Sequence, residues 1–205
     1  MSFLTTWYHT DIPEDIIEIL EKDIKKFDCD VSESKVHGNI LNTDIRDSKN
    51  AWIPTSHWIG GFLWHYIQRT NRENFQYDLT AIDGETIQYT QYGPGQFYDW
   101  HIDAGIDTSY NPQITVGSGM NISQDLLTLQ GEYVRKLSFS LQLSDYSEYT
   151  GGEFQFMNNN RKTYFAPKQR GTLILFDSRT PHRVRKVKSG LRKSLVGWVV
   201  GPRWK

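Results

Sequence analysis

The 205-residue chain has almost no cysteine, almost no net charge and no long apolar run. Its one cysteine, Cys29, cannot close a disulfide within the chain, which suits a reducing compartment. A formal charge of −1 leaves no overall electrostatic footprint for nucleic acid or an anionic membrane. No apolar stretch reaches the roughly 18 residues that a membrane helix needs. The opening Met1-Ser-Phe-Leu-Thr-Thr-Trp-Tyr-His9 lacks a basic segment followed by an apolar one, so no secretory signal is expected. Internal repeats and low-complexity segments are also missing. The expectation is one cytoplasmic domain, residues 1–205, with neither nucleic acid nor a membrane as partner. Aromatic residues are plentiful by contrast, at 14% with seven Trp and eleven Tyr. They suit strands and an aromatic-lined cleft.

Residues 1–80 read as mostly helical support. Pro13 opens a run in which Ile16, Ile17, Ile19, Leu20, Ile24 and Phe27 approximate a helical stripe. Glu14 and Asp15 near its start and Lys25 and Lys26 near its end suit the helix dipole. Cys29 to Trp52 is polar and reads as loop. A second helix is expected from Pro54-Thr-Ser-His57 to about Arg72, although Gly60-Gly61 interrupts it. His57 and His65 lie there without carboxylates at ligand spacing and read as ordinary helix histidines.

From about residue 84 the pattern alternates, and a β core is expected over 84–200. Glu85 to Tyr92 is β-prone, Gly93-Pro94-Gly95 turns, and Phe97 to Asp103 is extended. Ala104 to Gln130 reads as a long loop, which suggests a lid or a substrate loop. Val134 to Asp145 alternates Leu137, Phe139, Leu141 and Leu143 with Lys136, Ser138, Ser140 and Gln142. Short strands follow at Glu153 to Phe156, Thr163 to Phe165, Gly171 to Asp177, Val184 to Lys188 and Arg192 to Val200. Short strands behind a helical front suggest a sandwich or jelly roll with buttressing helices.

His101 and Asp103 are two residues apart, so on an extended strand they share a face. An imidazole and a carboxylate there could seat a divalent metal. Among six histidines, His182 is the one that follows a strongly apolar strand in the β-rich half. His101, Asp103 and His182 then form a two-His, one-carboxylate set, the facial triad of non-haem Fe(II) oxygenases. Its open positions would accept a chelating co-substrate and O2. 2-Oxoglutarate, as that co-substrate, needs a cation for its distal carboxylate. Arg192 is the candidate, ten residues after His182, with Ser194 on its face and Lys193 pointing away. A zinc hydrolase and a non-catalytic binding jelly roll are the other readings of these residues.

The segment Glu85 to Trp198 resembles the prolyl 4-hydroxylase-like 2-oxoglutarate/Fe(II) dioxygenases, including PKHD-type hydroxylases. The resemblance rests on Tyr92-Gly-Pro-Gly-Gln-Phe-Tyr-Asp-Trp-His-Ile-Asp103, Gly151-Gly-Glu-Phe-Gln-Phe156, Gly171-Thr-Leu-Ile-Leu-Phe176 and the step from His182 to Arg192. It implies a double-stranded β-helix, mainly β with supporting helices. It also implies Fe(II) at His101, Asp103 and His182, and 2-oxoglutarate at Arg192 and Tyr92, with ascorbate as a candidate reductant. Prolyl 4-hydroxylases often carry Lys where Arg192 stands. By the same resemblance Tyr98, Arg135, Trp198 and Glu85 would contact substrate. Core packing is the alternative for Tyr98 and Trp198, and an edge charge for Arg135. The activity implied is hydroxylation of prolyl residues in a peptide or protein, yielding succinate and CO2. The alternative is hydroxylation of a free amino acid or another small molecule.

Overall fold

The computed structural model describes residues 7–30, 32–33, 46–104 and 133–204. The expected loop, beyond Ala104, lies outside the described residues. Strand β1 (Trp7–Asp11) leads through Pro13 into helix α1 (Glu14–Ile24). Strands β2 (Ser32–Glu33), β3 (Arg46–Asp47) and β4 (Lys49–Pro54) precede helix α2 (Trp58–Thr70). Then come β5 (Ala81–Ile82), β6 (Thr86–Tyr92) and β7 (Phe97–His101). The second half holds β8 (Tyr133–Gln142), β9 (Tyr149–Gly151), β10 (Phe154–Met157), β11 (Thr163–Phe165) and β12 (Thr172–Asp177). It closes with β13 (His182–Val184), β14 (Val187–Gly190) and β15 (Arg192–Pro202).

Two antiparallel sheets carry the fold. The larger runs β1-β12-β8-β15-β6-β4-β2, with β5 also on β15; the smaller runs β11-β10-β13-β7-β3. The first 80 residues are therefore less helical than their composition suggests. β1 and β4 complete the large sheet against β12 and β6, and β3 adds an edge to the small one. Part of the expected Cys29–Trp52 loop is thus strand. These strands are short, β1 and β4 mix polar with apolar residues and β3 is only Arg46-Asp47, so pairing partners rather than local pattern decide them.

Two apolar layers result. One lies between the large sheet and the helices and includes Ile17, Leu20 and Ile24 of α1, Ile59, Leu63 and Ile67 of α2, and Leu137, Leu141 and Leu195 of the sheet. Each such side chain, once buried, contributes about 1.5–3 kcal/mol. Ile19 falls off the α1 stripe and is exposed. The second layer lies between the sheets, where Tyr92, Ile174 and Phe176 meet Phe154, Phe156 and Val184. β8 and β15 belong to both layers, so their alternate residues are buried too: Ser138, Ser140, Gln142, Arg192 and Ser194 all point away from water. Lys193 faces α1 and pairs with Glu21 at 2.9 Å, opposite to Arg192, as the alternation requires. Among the described residues no helix is long and apolar enough to cross a membrane.

Candidate metal centre

His101 ends β7 and His182 begins β13, and the two are direct cross-strand partners. Their ring centroids are 4.2 Å apart. Asp103 lies just past the end of β7, so its position is not set by strand alternation alone. The Asp103 and Ala104 amides donate to the Ser178 carbonyl, at 2.9 and 3.1 Å, which folds this segment onto the turn after β12. Its Oδ2 accepts a 2.6 Å bond from the Ser138 hydroxyl on β8. Ser138 has one proton and spends it there, so the Ser178 hydroxyl, 2.9 Å away, must donate to Ser138.

The donor atoms of His101, Asp103 and His182 lie within 4.8 Å of one another. His101 Nε2 is 3.7 Å from Asp103 Oδ1, and His182 Nε2 is 3.4 Å from Oδ2. Donors at right angles around a metal with bonds of about 2.1 Å stand roughly 3 Å apart, so the three side chains would draw together on an ion by up to roughly 2 Å. The second contacts fix the tautomers. His101 Nδ1 lies 2.7 Å from the Asp99 carbonyl and His182 Nδ1 lies 2.9 Å from the Thr180 carbonyl. A carbonyl only accepts, so both Nδ1 atoms carry the proton and both Nε2 lone pairs face the site. Burial, with the neighbouring His182 ring adding to it, pushes the His101 imidazole down to about 4, despite the opposing carboxylate of Asp103. Burial alone would raise the Asp103 carboxyl; His182, His101, Ser138 and Arg135 outweigh it and hold the group below its ordinary value. The residues present therefore fit a divalent ion bound by two neutral imidazoles and one carboxylate.

The same cavity holds Arg192, which is 2% exposed. Its Nη1 donates to Ser194 Oγ at 3.2 Å and its Nη2 to Gln142 Oε1 at 2.8 Å, while the buried Nε has no hydrogen-bond partner. Among the described residues no carboxylate lies within ion-pair distance. A buried charge without a counter-ion costs several kcal/mol, so this guanidinium is built to receive an anion. Gly152 makes room for it: a Cβ there would stand 3.1 Å from Arg192 Cδ and 2.9 Å from Val187.

Tyr92 stands opposite Arg192 in the β6–β15 register, its ring 5.6 Å from the guanidinium. Tyr98 stacks on His101 with centroids 3.5 Å apart, and burial pushes its hydroxyl up to about 12. These tyrosines, Ser194 and Trp198 line the cavity with the metal set. Arg135 and Glu85 are not among its lining residues. Arg135 pairs with Asp83 at 2.7 Å, lies 4.2 Å over the Trp198 ring and reaches the Asp103 carbonyl at 3.5 Å. Glu85 sits in the turn before β6, where its carbonyl accepts from the Thr55 amide. Sequence reasoning missed Ser138, Gln142 and Arg46. For the first two the signal was present in the polar positions of β8; Arg46 lies in a two-residue strand with no signal of its own.

The profile of the 2OG-Fe(II) oxygenase superfamily matches residues 87–200. The chain belongs to this superfamily. All three metal-set residues and Arg192 lie within the matched segment. Similar proteins include a PKHD-type hydroxylase of Synechococcus sp. (strain CC9902), 33% identical over 123 residues. That match covers 59% of this chain and 43% of the relative. A PKHD-type hydroxylase of Synechococcus elongatus is 31% identical over 166 residues, covering 80% of this chain and 62% of the relative. The chain thus spans about half the length of these relatives. A Pseudomonas putida prolyl-4-hydroxylase structure superposes with a TM-score of 0.67 at 19% identity, covering 98% of this chain and 94% of that one. A Trichoplax adhaerens prolyl hydroxylase, solved with a peptide fragment of the hypoxia inducible factor oxygen degradation domain, gives 0.68 at 18% identity, with coverages of 95% and 83%. Superfamily and superposition agree on the jelly-roll fold, and the superfamily and donor set agree on Fe(II) with 2-oxoglutarate.

Proposed function

We propose that this chain is an Fe(II)- and 2-oxoglutarate-dependent dioxygenase that hydroxylates prolyl residues in a peptide or protein, releasing succinate and CO2. Residues 1–205 are read as one domain, with α1 and α2 supporting the double-stranded core. One observation supports the reading above the rest: a buried guanidinium without a carboxylate partner shares a cavity with two imidazoles and a carboxylate. A zinc hydrolase would leave Arg192 unexplained, and a binding shell would not need the metal set as well.

His101 and His182 present Nε2 lone pairs, held in place by the Asp99 and Thr180 carbonyls. Asp103 presents its carboxylate with Ser138 fixing one oxygen. When bound, Fe(II) would activate O2, the oxidant for C–H hydroxylation, with 2-oxoglutarate supplying two electrons as it becomes succinate and CO2. Arg192, Ser194 and Tyr92 take the distal carboxylate of the co-substrate and so set its direction in the cavity. Tyr98 and Trp198 form an aromatic wall against which a ring substrate would stack, and Arg135 holds Trp198 from behind. No protein acid or base is required at the target carbon, so the side chains bind, orient and exclude water. The peptide-bound and prolyl hydroxylase relatives support a prolyl target.

The test is succinate formation with Fe(II), 2-oxoglutarate and O2 over proline-rich peptides and free proline, with mass spectrometry of the products. A gain of one oxygen on proline, matched by succinate, is expected. Metal loading without succinate on any of these would overturn the prolyl assignment.

A further inference from the structure

The cavity contains a second buried guanidinium that the co-substrate leaves unmatched. Arg46, on β3, is 8% exposed and lines the cavity beside Tyr98 and His101. Its Nε donates to Ser48 Oγ at 3.0 Å, and its guanidinium lies 4.8 Å over the Tyr98 ring. Among the described residues its terminal nitrogens have no hydrogen-bond partner, and no carboxylate lies within ion-pair distance. Neighbouring Asp47 is taken by Gln96, which donates to it at 2.7 Å. Trp198 adds a buried indole N–H without a partner on the same cavity. The unmatched polar groups on this side are therefore donors.

Charge makes the point sharper. Among the described residues lining the cavity, Asp103 is the single acidic one, against Arg46 and Arg192. With a divalent ion bound, the positive charge exceeds the negative by three. 2-Oxoglutarate removes two. One positive charge remains, and Arg46, only 8% exposed and without a carboxylate partner among the described residues, is the group on which a further anion would settle.

We propose that Arg46 is a second anion anchor, and that the molecule hydroxylated in this cavity carries a carboxylate which Arg46 receives. The inference rests on the oxygenase reading above and narrows its substrate class. The carboxylate is that of a chain terminus or of an acidic residue beside the target. Arg46 touches Tyr98, which touches His101, so the carboxylate would lie about two ring-stacking distances from the metal ligands, several bonds from the reacting carbon.

The test uses the protein loaded with Mn(II), a stand-in that does not turn over, and with 2-oxoglutarate. Calorimetry compares two probe pairs. One is N-acetyl-glycyl-proline and its amide; the other is N-acetyl-aspartyl-proline amide and its asparaginyl counterpart. In at least one pair the acid should bind about tenfold tighter or more, and which pair does so identifies the source of the carboxylate. Arg46→Gln should close that gap to within about threefold while the neutral probe keeps its affinity; Arg46→Lys should retain most of it. A merely structural role, propping Tyr98, would weaken acid and neutral probes alike. Equal binding within both pairs, a gap that survives Arg46→Gln, or no binding at millimolar probe overturns the proposal. So does a loss of 2-oxoglutarate affinity in Arg46→Gln with no change in the gap, since Arg46 would then serve the co-substrate. Mn(II) and 2-oxoglutarate binding, followed separately by water proton relaxation, reports on the oxygenase reading itself; if neither binds, that reading falls and the anchor with it.

Discussion

Ser138 shows how far the metal set depends on a residue that cannot touch the metal. Its hydroxyl donates to Asp103 Oδ2 at 2.6 Å and is itself held by Ser178. A carboxylate that is charged, buried and aimed needs such a donor, because burial alone would raise its pKa. Ser138→Ala removes the bond and leaves a small void. We expect divalent-metal affinity to fall by roughly 10- to 100-fold, as outer contacts of metal ligands commonly do when lost. Mn(II) titration of the variant checks this; unchanged affinity would mean that the Ser178 carbonyl, through the Asp103 amide, orients the carboxylate without help. Gln142 plays the matching part for Arg192. Gln142→Leu leaves Nη2 of a buried guanidinium without its acceptor, at a cost of about 1–3 kcal/mol. Lower urea stability, recovered in part by saturating 2-oxoglutarate, is the expected outcome. Loss of stability with no recovery would separate Arg192 from the co-substrate.

At the level of elements, the adjacent glycines of α2 test whether the helix is docked as described. A Cβ on Gly60 would meet the Thr55 carbonyl oxygen at 2.2 Å, a backbone atom that cannot swing away. A Cβ on Gly61 meets nothing within 4 Å. Gly61→Ala should therefore stabilise by about 0.5–1 kcal/mol, the helix-propensity gain. Gly60→Ala should destabilise by roughly 1–3 kcal/mol, the usual cost of forcing atoms into a packed contact. Denaturant midpoints of the two variants should move in opposite directions, and movement together would mean that α2 packs differently. In the sequence the pair was visible only as a flaw in a helical pattern, because one glycine serves the packing and the other does not. The same limit governs the rest of the chain. β8 and β12 were legible because long alternation or a continuous apolar run needs no partner to be recognised. β1, β3 and β4 were not, since five, two and six residues owe their state to the strands beside them. His101, Asp103, His182 and Arg192 could be found from residue type and spacing. Ser138 and Gln142 carried a signal without a meaning, because polar residues on an alternating strand ordinarily mark the solvent face, and here a second sheet covers them. Arg46 could not be found, since only the fold brings β3 alongside β7.

The whole molecule is tied together at the end of β12, one residue before the Ser178 that holds Asp103. Asp177 accepts from the Tyr77 hydroxyl at 2.7 Å and from the Arg179 amide, Nε and Nη2 at 2.9, 2.9 and 2.6 Å. Arg179 in turn lies 4.2 Å over the Trp204 ring, which also meets Tyr77 edge-on at 4.7 Å. One carboxylate thus joins the large sheet, the segment after α2 and the residues that follow β15. Burial alone would raise the Asp177 carboxyl; the bonds from Arg179 and Tyr77 outweigh it and leave its pKa below the ordinary 3.8. A carboxyl whose folded pKa is depressed stabilises fully above its unfolded value, and that contribution is lost as pH falls through the folded one. Asp177→Asn keeps the shape and removes the charge. Because Arg179 is 39% exposed, solvent screens part of the pairing, and we expect a loss near the low end for charged hydrogen bonds, about 1.5–2 kcal/mol at pH 7. For a domain of this size that lowers Tm by roughly 3–8 °C. The difference from the native protein should hold down to about pH 5 and shrink below the ordinary carboxyl value, since the native side chain then loses its charge too. Every other carboxylate is common to both proteins and cancels in the comparison. Urea unfolding of both across this range measures it, and a gap as wide at pH 3 as at pH 7 would show that Asp177 holds these segments by shape rather than by charge.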